Sequence, residues 1–242
     1  LTSDEAEEAC VSALASGYRL IDTANAYLNE KAVGRAIKKS GLKREEIFLE
    51  TKIWPSFYEQ EDAVEKTLER LDTDYIDLLL IHQPAGNYIA GYRLMEKAYK
   101  AGKVKAIGLS NFTAEQIKEI LSVCEVKPTI LQTEVHPYFQ ERELKDFLQK
   151  EGIVIQAWYP LGHGDKALLE ETTFTKLAKK YGKTVIAFAG SVERDARECN
   201  EHGIDAFFPV LRGITTLEEA MKNENAKRNL ADTAEQVYRL WR

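Results

Sequence analysis

The chain has 242 residues, of which 44% are hydrophobic and 30% charged, and its formal net charge is −6. This length allows one large hydrophobic core. Acidic and basic residues are mixed along it, without the basic block that a nucleic acid or an anionic membrane would need. We therefore expect a small-molecule partner, no nucleic acid and no membrane, and no sequence feature requires a particular oligomeric state.

The sequence gives no sign of export or of a metal site. No apolar run approaches the roughly 20 residues that cross a bilayer, and the start LTSDE lacks a basic-then-apolar signal segment. Cys10, Cys124 and Cys199 are odd in number and far apart, which argues against a disulfide framework or a spaced metal site. We expect a cytoplasmic protein with no bound metal.

Eight short runs rich in apolar and β-branched residues recur along the chain, each followed by a stretch with helical periodicity. The runs are 17–24, 47–54, 75–82, 104–110, 129–135, 153–159, 184–190 and 204–211. Nearly continuous apolar runs suit parallel strands that are covered on both faces. The alternation predicts an α/β fold, a (β/α)₈ TIM-type barrel that forms a single domain over residues 1–242. A doubly wound open sheet is the main alternative, because local patterning does not show whether strands close into a barrel.

The stretches between the runs have the features of amphipathic helices. Val64, Leu68 and Leu71 share one face of a predicted helix. Thr113 and Gln116 have the spacing of a capping box, in which each side chain binds the other residue's backbone N–H, so a helix is predicted to begin there.

Ionisable residues lie near the ends of the first three runs, where apolar residues are expected. They are Asp22, Lys52 and His82. Each alone has a structural explanation, as a helix cap, a solvated end residue or a hydrogen-bonded core histidine. In a parallel barrel, however, these strand ends open onto one face, and buried charges there need partners. Asp22 and Lys52 can form an ion pair whose positive end makes a nearby phenol more acidic, and Tyr27, five residues beyond Asp22, is then a candidate general acid.

Six motifs give this pattern a family likeness. Over about residues 3–183 the chain resembles successive signatures of the aldo-keto reductase superfamily. The six motifs are GYRLIDTANAYLNEKAVGRAI, FLETKIW, YIDLLLIHQP, AIGLSNF, LQTEVHPY and IQAWYPLGHGD. The resemblance implies a catalytic tetrad of Asp22, Tyr27, Lys52 and His82. It also implies hydride transfer from C4 of a reduced nicotinamide to a carbonyl carbon, with the proton donated by Tyr27 and the carbonyl oriented by His82.

The same resemblance implies a cofactor site for NADPH, with NADH as an alternative. Ser110, Asn111 and Gln132 would hold the nicotinamide carboxamide. Trp158 stands where an aromatic residue stacks on the nicotinamide ring, although many relatives have tyrosine there.

Two further parts of the predicted site come from the resemblance. The loop beside the cofactor pyrophosphate would consist of Tyr159, Pro160, Leu161 and Gly162. Trp54 resembles a wall of the substrate pocket, with structural packing as the alternative.

The likeness changes after residue 183. Residues 184–242 resemble the C-terminal part of bacterial glycerate kinase, and the reductase segment that grips the adenosine 2′-phosphate is not found there. The strand that precedes the first helix in the reductases is also missing, and the chain looks trimmed at its front. It therefore reads as a chimera, with a reductase-like part over 1–183 and a tail over 184–242. Six strands would come from the reductase part, and runs 184–190 and 204–211 would complete or flank the barrel.

Three functions remain open on the sequence alone. The leading one is NAD(P)H-dependent reduction of a small aldehyde, ketone or keto acid to the alcohol. The alternative is a chimeric scaffold with little or no activity, because the cofactor-phosphate motif is missing. Glycerate kinase activity is least favoured, since only the end of that family is represented and no phosphate-cradling glycine loop precedes it.

Overall fold

The computed structural model describes residues 2–160, 186–189 and 206–209. The chain divides into two compact units. The first comprises Leu1–Val135 and Phe139–Trp158, and the second comprises His136–Tyr138 and Tyr159–Arg242. No helix among the described residues is long and apolar enough to cross a membrane.

In the first unit, helices and parallel strands alternate. The strands are β1 (Leu20–Asp22), β2 (Phe48–Ile53), β3 (Leu78–Ile81), β4 (Ile107–Ser110), β5 (Ile130–Glu134) and β6 (Val154–Trp158). The helices are α1 (Ser3–Ala15), α2 (Glu30–Ser40), α3 (Ala63–Leu71), α4 (Tyr88–Lys100), α5 (Ala114–Val123) and α6 (Arg142–Glu151). Short 3-10 turns occupy Asn25–Tyr27, Arg44–Glu46 and Pro55–Phe57. The first six predicted runs each contain one of these strands.

The six strands lie in the order in which they occur in the chain, β1-β2-β3-β4-β5-β6, and every neighbouring pair is parallel. A doubly wound sheet reverses its strand order at a switch point. The described sheet has no reversal, so the doubly wound alternative is wrong for this part of the chain. The predicted α/β fold with parallel strands is confirmed.

Side chains from strands that are far apart in this order nevertheless touch. Gln132 of β5 donates from Nε2 to Glu50 Oε1 of β2 at 2.7 Å and to Asp22 Oδ2 of β1 at 3.0 Å. In a flat sheet, strands four places apart would be separated by about 19 Å. The sheet is therefore strongly curled, and these three side chains project from its concave face.

Local sequence signals account for the helices that flank the sheet. Val64 and Leu71 of α3 are buried, and Leu68 packs against the same core. The N-terminus of α5 has the predicted capping box: Gln116 N donates to Thr113 Oγ1 at 3.3 Å, and Thr113 N donates to Gln116 Oε1 at 3.0 Å. Both helix predictions are confirmed.

Helices α2 and α3 meet at a point where only glycine fits. A Cβ atom on Gly34 would lie 2.3 Å from the backbone oxygen of Leu71. Because this distance is far below van der Waals contact, Gly34 allows the two backbones to approach closely.

In the second unit, β7 (Ile186–Ala189) pairs with β8 (Ala206–Pro209) in a parallel two-stranded sheet. Each lies inside one of the last two predicted runs. Closure of an eight-stranded barrel, and the division of a single domain at residue 183, stay predictions.

Candidate active site

An ion pair between a buried lysine and a partly exposed aspartate lies at the carboxyl ends of the first two strands. Lys52 is the penultimate residue of β2, and its Nζ pairs with Oδ1 of Asp22, the last residue of β1. The ammonium group also donates to the backbone oxygen of Thr23 at 3.1 Å. The Lys52 side chain is only 1% exposed, so these two acceptors replace the water that it loses on burial.

Tyr27 lies beside this pair, in the 3-10 turn that follows β1. The Lys52 ammonium is 5.5 Å from the centroid of the Tyr27 ring, and the ring meets His82 edge to face at 5.8 Å. Tyr27 is 48% exposed. The phenol therefore stands between a buried positive charge and solvent, where a substrate can reach it.

Buried polar groups hold the 3-10 turn that carries Tyr27. Asn25 donates from Nδ2 to both carboxylate oxygens of Glu30 at 3.0 Å. Glu30 in turn accepts from the Thr51 hydroxyl at 2.8 Å and pairs with Arg70. This network fixes the start of the turn against β2 and α3.

His82 follows β3 directly and is almost fully buried. Its burial, with a smaller contribution from the Lys52 charge, lowers the pKa of His82 to about 4. The imidazole is therefore neutral near pH 7 and carries a single N–H. Trp54, the predicted substrate-pocket wall, lies edge to face against His82 at 5.0 Å and is 37% exposed.

The predicted carboxamide-binding residues lie on two neighbouring strands: Ser110 ends β4, Asn111 follows it, and Gln132 is in the middle of β5. Asn111 adopts a left-handed backbone with φ 66°. Its Nδ2 donates to the His82 backbone oxygen and to Ser110 Oγ, both at 3.1 Å, and its Oδ1 accepts from Trp158 Nε1 at 2.8 Å. Asn111 thus ties together the ends of β3, β4 and β6, and both ends of its side-chain amide are already bonded within the protein.

The groups that remain here fit a nicotinamide carboxamide. Within residues 2–160, no hydrogen bond uses the Ser110 hydroxyl hydrogen or Gln132 Oε1, and the buried Nδ1 of His82 has no partner. A carboxamide offers one carbonyl acceptor and two N–H donors. Ser110 can donate to the carbonyl, and Gln132 can accept from the amide nitrogen.

The predicted pyrophosphate loop is only partly described. Tyr159, with φ 52°, and Pro160 directly follow β6, and both are exposed. Leu161 and Gly162 lie outside the described residues. The cofactor contacts of this loop therefore stay a prediction.

Sequence reasoning missed two members of the concave face, Glu50 and Gln156. Glu50 is fully buried, and its Oε2 accepts from Gln156 Nε2 at 3.0 Å. Burial first and the Asp22 charge second raise the pKa of Glu50 to about 7, against the opposing effects of Gln156 and Lys52. The signal was present in FLETKI, because residues two apart in a strand share a face and Glu50 therefore accompanies Lys52.

Comparison with known proteins places this chain among the oxidoreductases. A model of the aldo/keto reductase family matches residues 1–205, and the chain belongs to that family. A model of the glycerate kinase family matches residues 170–242. Both family resemblances stated from the sequence are thereby confirmed.

Individual relatives agree with this assignment. The chain is 44% identical to glyoxal reductase from Bacillus subtilis over 186 residues, which cover 75% of this chain and 67% of the relative. It is 38% identical to glycerol 2-dehydrogenase (NADP(+)) from Saccharomyces cerevisiae over 209 residues, which cover 73% and 67%. The crystal structure of an aldo/keto reductase from Brucella melitensis superposes with a TM-score of 0.70 at 36% identity, covering 87% of this chain and 80% of that one. The chain spans about two thirds of the length of its curated relatives.

Proposed function

We propose that this protein catalyses the NAD(P)H-dependent reduction of a small aldehyde, ketone or keto acid to the alcohol. The observation that carries the proposal is the buried Lys52 ammonium, paired with Asp22, beside Tyr27, with neutral His82 against the same ring. The names of relatives such as glyoxal reductase support a small carbonyl compound as the substrate.

Tyr27 is the proposed proton donor. When bound, a reduced nicotinamide supplies the hydride. The Tyr27 hydroxyl gives its proton to the carbonyl oxygen, and the nearby Lys52 charge stabilises the phenolate that forms. Asp22 holds the ammonium in place through the ion pair.

His82 has a different proposed part. Because its pKa is lowered to about 4, hardly any imidazolium exists at neutral pH, so His82 is a poor proton source there. Its single N–H instead donates a hydrogen bond to the carbonyl oxygen and orients it. The apolar ring of Trp54 beside His82 forms one wall of the substrate pocket.

NADPH is the proposed cofactor in preference to NADH, since the yeast relative is named for NADP(+). Ser110 and Gln132 would bind its carboxamide directly. Asn111, whose amide is bonded to Ser110 and Trp158, would hold these two neighbours in place. Trp158 would stack on the nicotinamide ring. The loop from Tyr159 to Gly162 would lie beside the pyrophosphate. The cytosol stays the proposed location.

We also propose that the complete fold is a TIM-type barrel. Six consecutive parallel strands in a strongly curled sheet support it, as does the likeness to the Brucella reductase structure. Strands β7 and β8 would supply the remaining two positions. A crystal structure in which β8 makes no ladder with β1 would refute this closure.

One observation favours a second candidate, an inactive chimeric scaffold. Residues 170–242 match the glycerate kinase family, in the region where a reductase would bind the adenosine phosphate. If that region does not bind the adenosine phosphate, the cofactor would not be held, and the catalytic cluster would lack a hydride donor.

A cofactor titration separates the two candidates. NADPH and NADH are added while tryptophan fluorescence quenching is followed, and turnover of glyoxal is measured in the same samples. The reductase proposal expects binding and turnover, with turnover lost but binding kept in Tyr27→Phe. Tyr99→Phe is the matched control, because Tyr99 is a similarly exposed tyrosine on α4. Absence of binding at millimolar cofactor favours the scaffold, and turnover by Tyr27→Phe would remove Tyr27 as the acid.

A further inference from the structure

Glu50 is a buried acidic group to which the proposed mechanism gives no task. It lies in the middle of β2 and has no exposed surface. Its Oε1 accepts from Gln132 Nε2 at 2.7 Å, and its Oε2 accepts from Gln156 Nε2 at 3.0 Å. Burying a carboxyl group this completely costs free energy, because the group loses its contacts with water. Its contacts within the protein therefore require an explanation.

The contacts of Gln132 provide one. Both hydrogens of Gln132 Nε2 are used, one by Glu50 and the other by Asp22 Oδ2 at 3.0 Å. Turning the amide over would place its oxygen against two carboxyl oxygens, which is repulsive. The two acidic groups therefore fix the amide in one orientation, with Nε2 towards them and Oε1 directed elsewhere.

Gln156 lets this orientation survive a change in the charge of Glu50. The pKa of Glu50 is raised to about 7, so its carboxyl group gains and loses a proton near neutrality. Gln156 Oε1 is buried and has no hydrogen-bond partner among the described residues. If Oε2 is protonated, rotation of the Gln156 amide lets its oxygen accept that hydrogen, while the bond from Gln132 to Oε1 persists.

We propose that Glu50 is a positioning residue for the cofactor: it holds the Gln132 amide so that Oε1 accepts from the nicotinamide carboxamide. This inference rests on the proposed function, since it assumes that the carboxamide lies at Ser110 and Gln132. Glu50 acts through Gln132 and does not itself touch the cofactor.

A double-mutant cycle measures this dependence. Glu50→Leu removes the acceptor, Gln132→Leu removes the residue that it positions, and the double variant combines them. We expect each single change to raise the dissociation constant and KM for NADPH about 10-fold, the size of one lost hydrogen bond, with kcat at saturation little changed. The double variant should bind no more weakly than Gln132→Leu alone. Additive losses would overturn the inference.

Two further variants control for folding. Glu50→Gln keeps an oxygen that can accept from Gln132, so it should restore NADPH binding to within about 2-fold of the wild type. Glu96→Gln makes the same change at a buried glutamate on α4, whose Oε1 accepts from the backbone of Glu125 and Val126. It should leave the dissociation constant unchanged. Weak binding by Glu50→Gln with a wild-type melting temperature would contradict the proposed role of the acceptor.

The cofactor-free protein gives a test that does not depend on the proposed function. The side-chain amide signals of Gln132 in a ¹⁵N NMR spectrum are identified by their loss in Gln132→Leu. In Glu50→Leu, one of the two Nε2 hydrogens should shift upfield and exchange faster with water, whereas Glu96→Gln should leave both unchanged. Unaltered Gln132 signals in Glu50→Leu overturn the inference, even if the wild type binds NADPH. Altered signals in a protein that binds no cofactor refute the proposed function and leave the link between Glu50 and Gln132 standing.

Discussion

Replacing Lys52 with methionine tests how strongly the proposed proton transfer depends on a single charge. Methionine keeps most of the apolar stem and removes the ammonium that pairs with Asp22. The Asp22 side chain is 34% exposed and also accepts from Gln132, so its carboxylate keeps water and one hydrogen bond. We expect Lys52→Met to fold and to bind cofactor, and to transfer the proton more slowly.

The size of the effect follows from the geometry. Lys52 Nζ lies 5.5 Å from the centroid of the Tyr27 ring. Two unit charges at this distance interact by about 3 kcal/mol at an effective dielectric constant of about 20. The phenolate that forms on Tyr27 loses this stabilisation in the variant. We therefore expect kcat to fall about 100-fold.

The assay is steady-state turnover of glyoxal at saturating NADPH, with the dissociation constant for NADPH measured by fluorescence quenching. Lys105→Met is a matched control, because Lys105 also pairs with an aspartate, Asp77 at 3.1 Å, and lies over a tyrosine ring, Tyr75 at 3.8 Å. It precedes β4, at the opposite end of the strand from the site. A Lys52→Met enzyme whose kcat stays within about 3-fold of the wild type would refute the electrostatic argument, since the calculated interaction is far larger.

Three further predictions concern stability. The unfolded chain takes up a proton on His82 near pH 6.5 and the folded chain only near pH 4, so stability should fall as pH decreases between these values. His82→Gln should flatten that part of a urea-unfolding pH profile, and an unchanged slope would count against a neutral buried His82. Glu50 has the opposite sign: the folded state keeps its proton up to about pH 7, against 4.5 for the ordinary group, so stability falls as pH rises through this range. Glu50→Gln should therefore raise the melting temperature more at pH 8 than at pH 5, and equal shifts would contradict the raised pKa. Gly34→Ala should destabilise the fold by about 1–3 kcal/mol in urea unfolding, because its Cβ would press on the Leu71 backbone, and an unchanged midpoint would exclude that close approach.

The order of the helices and strands was predictable because hydrophobic periodicity and helix caps depend on residues that are only a few positions apart in the chain. Strand β3 (Leu78–Ile81) is apolar at every position and fully buried, and α5 begins at its capping box. The curl of the sheet was not readable in this way. It depends on contacts such as Gln132 to Asp22, which join residues 110 positions apart in the chain.

The site was predictable where a residue type contradicted its surroundings. Asp22, Lys52 and His82 were identified because ionisable groups at the ends of apolar strands are costly to bury unless they have partners or a function. Glu50 is likewise an ionisable residue in an apolar strand. The role of its side chain, however, depends on Gln132 and Gln156, which contact it only across the concave face. The bonded state of the Asn111 amide was likewise invisible, since it requires the positions of three strand ends.

The charges of the concave face explain why a second acidic residue can lie under a site that is proposed to stabilise a phenolate. If Asp22 and Glu50 were both ionised beside Lys52, the cluster would carry a net negative charge and oppose the new anion on Tyr27. Because its pKa is raised to about 7, Glu50 is largely neutral on the acidic side of neutrality. Asp22 then balances Lys52, and the ammonium is the charge that faces the Tyr27 ring. Glu50 can therefore hold Gln132 in place below pH 7 without cancelling the field on which the proposed proton transfer from Tyr27 depends.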